Sequence, residues 1–124
     1  MGSRIGRGLS LFNVILASAL LWWLSDQPSL TPPDLGFNFQ DKLYHAIAYA
    51  GYGSLLVMFV LNWFSHWNVR TQVVVVLAVG LLFAASDEYH QTFVDGRVGS
   101  VADWVADAIG VGLSTLLLLR RRSV

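Results

Sequence analysis

Long apolar runs alternate with short polar interruptions along this chain. The runs cover residues 5–24, 46–64, 71–85 and 101–119, and their few polar positions cluster near one end. A helix needs roughly 20 residues to cross about 30 Å of hydrocarbon. The third run falls short of that unless its helix continues through Asp87, Glu88 and His90 to about residue 94. The pattern predicts helices over about 5–24, 42–64, 71–94 and 101–119. They form a single integral membrane domain over residues 1–124. The expected fold class is an all-α membrane protein with four transmembrane helices in an antiparallel bundle.

Composition agrees with that class. Of 124 residues, 55% are hydrophobic and only 13% charged, where a soluble domain carries about 25% charged residues. Formal net charge is zero, so bulk charge gives no case for a nucleic-acid partner. There are no cysteines, which excludes disulfides and thiolate metal sites. Arg4 and Arg7 ahead of an apolar core resemble a signal peptide. Against that, Ala17, Ser18 and Ala19 sit in mid-run and Trp22 and Trp23 at its end, as in a retained anchor with an interfacial aromatic belt.

With four spans, Arg4, Arg7, Arg70, Arg120, Arg121 and Arg122 share one side, and Lys42 and Arg97 the other. That bias predicts cytoplasmic termini in a multi-pass membrane protein. The acidic residues gather on the opposite side. Asp26 and Asp34 belong to a polar loop around residues 28–33, and Asp95 to a turn with Gly96. The others interrupt apolar runs, where charge is expensive and calls for a partner or a role.

Helical rise places these charges in depth. Counting about 1.5 Å per residue from Trp63, Gln72 and Arg120, His45 and His90 rise roughly 27 Å, Asp103 roughly 26 Å, Asp87 roughly 22 Å, Tyr49 roughly 21 Å and Asp107 roughly 20 Å. Three helices thus deliver polar groups to one slab. Asp41, His45 and Tyr49 form one stripe at helical spacing. Asp87, His90 and Gln91 form another, with Glu88 beside it, and Asp103 and Asp107 a third. Lipid cannot satisfy these groups, so the stripes are expected to face the bundle interior. Gly51, Gly53, Gly110 and Gly112 would let helices approach closely.

Two segments carry a family resemblance. Asp41-Lys42-Leu43-Tyr44-His45-Ala46-Ile47-Ala48-Tyr49 resembles the first signature of the VanZ-like family. Ser86-Asp87-Glu88-Tyr89-His90-Gln91-Thr92-Phe93, followed by Arg97 and Asp103, resembles the second. Asp107 departs from the pattern, because the family usually has Asn there. The resemblance implies a small bacterial inner-membrane protein of several helices. It also implies a link to glycopeptide (teicoplanin) response, through the founding member's place in resistance gene clusters.

The residues themselves support several chemistries. In an enzyme at the outer leaflet, Asp87 or Glu88 would be the general base, and His45 or His90 would exchange protons. Asp41, Tyr49, Gln91 and Asp103 complete that catalytic set. Lys42 and Arg97 would hold an anionic group of a lipid-linked or cell-envelope substrate, with Tyr52 and Asp107 as further binding residues. The alternative is a non-catalytic protein that binds a lipid, an antibiotic or a partner helix. Whether the chain is an enzyme stays open on this reading. A purely structural knot gains little, since interhelical polar contacts average about 0.6 kcal/mol. His45, His90, Asp87, Glu88 and Asp103 are suitable ligands for a divalent metal, but no compact ligand motif is present. Membrane lipids are expected partners, along with a lipid-linked envelope precursor or a glycopeptide. A chain this small also suits a homo-oligomer.

Overall fold

The computed structural model describes residues 2–28 and 32–123. Residues 29–31 of the polar loop lie outside that description. Four helices occupy most of the rest: α1 (Arg4–Ser25), α2 (Gln40–Trp63), α3 (Val69–Gln91) and α4 (Val101–Ser123). No strand occurs among the described residues. All four helices are long and apolar enough to cross a membrane. The protein is an all-α membrane protein, as its apolar runs predict.

Local chemistry sets the helix ends. Ser3 caps α1 by accepting the Gly6 amide at 3.0 Å. Asn68 caps α3 in the same way, accepting the Thr71 amide at 2.9 Å, so α3 begins two residues before the apolar run. α3 does carry on through Asp87, Glu88 and His90, as its length requires. It stops at Gln91 and not near residue 94. There the amides of Thr92, Phe93 and Val94 turn back to carbonyls three residues earlier, at 3.0–3.2 Å. The chain then reverses through Gly96 at φ 78, a left-handed conformation that suits glycine.

Packing follows the small residues. α2 and α4 form the most extensive helix–helix contact, although they are not sequence neighbours. Lys42 meets Asp103, His45 meets Asp107, and Gly53 meets Ser114, so these two helices run in the same sense. Gly110 makes the closest part of this seam. A Cβ there would strike the Ala46 carbonyl and lie 2.7 Å from the Ala50 amide nitrogen. Gly53 is confined against the Ser114 side chain and the Val111 backbone. Gly51 and Gly112 have open space around them and do not serve the close approach expected of them. α3 reaches the seam at Gly80, where an added Cβ would lie 2.6 Å from Val111.

α1 packs on α2 and α3 but not on α4. Ser18 and Tyr52 share a hydrogen bond at 2.9 Å, and the Arg7 Nε donates to the Asn62 carbonyl at 3.2 Å. Its leucines Leu9, Leu16 and Leu20 face outward, where lipid would meet them. The interior of the bundle holds Val57, Val60, Val76, Val111 and Leu118.

Candidate functional site

The polar stripes of α2, α3 and α4 converge. His45 Nδ1 lies 2.8 Å from Asp107 Oδ1 and 3.6 Å from Glu88 Oε1, and His45 Nε2 lies 3.8 Å from Asp103 Oδ2. One imidazole thus touches three carboxylates from two helices. Asp87, Glu88, Asp103 and Asp107 are all buried. The depth reckoned from helical rise placed them at one level, and the side chains do meet there.

Each carboxylate has a distinct neighbour. The Tyr49 hydroxyl donates to Asp87 Oδ2 at 2.8 Å. The Ser100 amide donates to Glu88 Oε2 at 3.2 Å. Lys42 Nζ bridges Asp41 at 2.7 Å and Asp103 at 2.5 Å. Among the described residues, Asp87 Oδ1, Glu88 Oε1 and Asp107 Oδ2 are enclosed with no hydrogen-bond partner. A buried polar atom left in this way costs about 1–3 kcal/mol. Three such oxygens in one place mark a site organised for something other than stability.

A cleft of about 720 Å³ opens beside the cluster. His45, Tyr49, Asp87, Gln91 and Asp103 form its polar wall, with Asp41 and Arg97 also lining it. Among the described residues Arg97 forms no ion pair. Its charge is therefore available to an anion in the cleft. Glu88 and Asp107 sit behind this wall and do not line it.

Other residues named from the sequence fall elsewhere. His90 turns from the carboxylate cluster toward α1. It stacks on Trp22 at 4.3 Å between ring centroids and contacts Asp26 at 3.0 Å. Asp41 is mostly exposed on the Lys42 ammonium. Tyr52 bonds Ser18, packs its ring on Phe83 and does not line the cleft. Of the candidate metal ligands, His45 and Glu88 come together, joined by Asp107. His90 does not join them, and Asp87 is turned to Tyr49.

α1 contributes more than an outer stave. Leu21, Leu24 and Ser25 line the cleft, and the Ser25 hydroxyl donates to the Asp87 carbonyl at 3.4 Å. The sequence reading assigned the pocket to α2, α3 and α4 and missed this wall. Ser25 is buried at the end of an apolar run, a position where a lone serine can signal a polar neighbour. Trp104 on α4 points inward, donating to the Leu81 carbonyl at 3.1 Å.

The comparisons with known proteins agree with this picture at the level of family. A family model described as VanZ/LLP1 matches residues 8–122, nearly the whole chain. The chain belongs to the VanZ/LLP1 family. Neither the curated proteins nor the solved structures contain a match.

Proposed function

We propose that this VanZ/LLP1-family chain is a bacterial inner-membrane protein that acts on the polar head of a lipid-linked or cell-envelope substrate. Both termini face the cytoplasm, following the arginine bias, and the cleft opens on the outer side. The observation that carries the reading is the 720 Å³ cleft with an unpaired Arg97 and a buried Asp87 on its wall. That volume is in the range of small-ligand sites, about 300–1,000 Å³.

The parts divide the work. Arg97 draws in an anionic group such as a phosphate or carboxylate. Tyr49 holds Asp87 through Oδ2 and so positions its carboxylate on the cleft wall as the general base. The mixed apolar lining from Leu21 and Leu24 suits a molecule that remains partly in lipid. Through this activity the chain alters the envelope's response to glycopeptides of the teicoplanin type.

A Gram-positive host expressing the wild type, Asp87→Asn or Arg97→Ala at matched membrane levels tests the reading. Lipoglycopeptide protection by the wild type, lost in both variants, is expected. Equal protection by all three chains would take the function out of the cleft. No protection by the wild type would remove the antibiotic role.

A further inference from the structure

The carboxylates around His45 outnumber the cations that reach them. Asp87, Glu88, Asp103 and Asp107 are buried together. The basic groups in contact with them are Lys42, which it shares with Asp41, and His45. His90 contacts Asp26 instead. Four carboxylates against one ammonium and one imidazole leave a deficit of positive charge that a bound cation or protonation must meet. Buried charge without a counter-charge is not tolerated at this depth.

We propose that His45, Glu88 and Asp107 bind a divalent transition-metal ion of the zinc type, seated behind the wall of the cleft. One nitrogen and two carboxylate oxygens from these residues lie within 4.8 Å of one another. Zinc ligands stand about 2.1 Å from the metal, which spaces tetrahedral ligand atoms roughly 3.4 Å apart. The separations of His45 Nδ1 from Asp107 Oδ1 and Glu88 Oε1, 2.8 and 3.6 Å, bracket that spacing.

A second observation is independent of the clustering. Glu88 and Asp107 are at least nine-tenths buried, at 6% and 0% exposure. Each keeps one enclosed oxygen with no hydrogen-bond partner among the described residues. Glu88 Oε1 is that orphan, and it is the atom aimed at His45. The surroundings also suit a held metal. The Ser100 amide fixes the other Glu88 oxygen. Asp103, anchored by Lys42, faces the second ring nitrogen of His45. A carboxylate behind a ligating histidine orients its ring. His45 is the only one of the three that also lines the cleft, so the ion connects to the cleft through it. Three protein ligands would leave a coordination position for water or substrate.

Metal binding is measurable without any envelope assay, so failure here leaves the proposed function standing on its own test. The full chain, purified in detergent micelles and stripped with EDTA, is titrated with zinc or cobalt. The expected result is one ion per chain, with visible absorption bands for cobalt. His45→Ala and Glu88→Gln should each weaken binding by more than about 100-fold, beyond the loss typical of residues that only orient a ligand. Asp107→Asn, a near-isosteric change, should also weaken it, while His66→Ala on the exposed turn after α2 should bind like wild type. The proposal is overturned if the folded wild type takes up no stoichiometric ion. It is equally overturned if folded His45→Ala and Glu88→Gln chains bind as the wild type does.

Discussion

The two halves of the bundle solve the same packing problem with opposite materials. Toward Trp63 and Arg122, the interior is Val57, Val60, Val76 and Leu118, all within 2% of full burial. The buried polar side chains there are neutral: Ser10, Ser114 and Thr115 donate to carbonyls of their own helices, and the Gln72 amide donates to the Phe64 carbonyl at 2.9 Å while its Oε1 is enclosed without a partner among the described residues. Toward Asp41 and Val101, the interior is four carboxylates, an imidazole and a tyrosine. Aliphatic side chains would have filled that end at lower cost, since a buried charge cluster is often no more stable than its apolar replacement. The apolar half therefore holds the helices together, and the polar half exploits that stability.

The strongest challenge to this division is Val76→Asp. The new carboxylate has no partner, and insertion scales charge about 2.5–3.5 kcal/mol for it before any lost packing. Little folded protein should survive detergent extraction and size-exclusion chromatography. A well-folded variant would show that the apolar half tolerates charge and would end the contrast. Gly110→Ala comes next, because its methyl group must displace α2 backbone at the floor of the polar half. Such overpacking costs about 1–3 kcal/mol, read as a lower unfolding midpoint in a denaturing-detergent titration. Tyr49→Phe should cost less, about 0.6 kcal/mol, the average for an interhelical polar contact. A much larger loss would mean that the polar half is structural after all. Gly112→Ala, with open space around it, should stay within about 0.5 kcal/mol of wild type.

Much of this was legible along the chain, because hydrocarbon leaves few choices. A run of suitable length must be a helix, and a charged stripe on it must turn inward. That logic located the four helices and the level where His45, Asp87, Glu88, Asp103 and Asp107 meet. It could not separate Gly110 from Gly112, because spacing does not reveal which glycine meets a neighbouring backbone. His90 misled for a related reason. It lies three residues after Asp87 on the same stripe, but at the helix end α1 offers a closer partner in Asp26 and a ring in Trp22. The contributions of Ser25 and Leu21 depend on how α1 leans on α2 and α3, which no local pattern encodes.

That α2 and α4 run in the same sense has an electrostatic consequence. Each helix carries a macrodipole equivalent to roughly half a positive charge at its start and half a negative charge at its end. Both starts lie at the acidic end, with Asp41 and Asp103 in their first turns. The finish of α4 carries Arg120, Arg121 and Arg122. The starts of α2 and α4 thus lend positive potential to Asp41 and Asp103, against the negative pole of α3 that ends beside Asp87 and Glu88, and the arginines balance the finish of α4. The direction of the chain is itself part of the counter-charge.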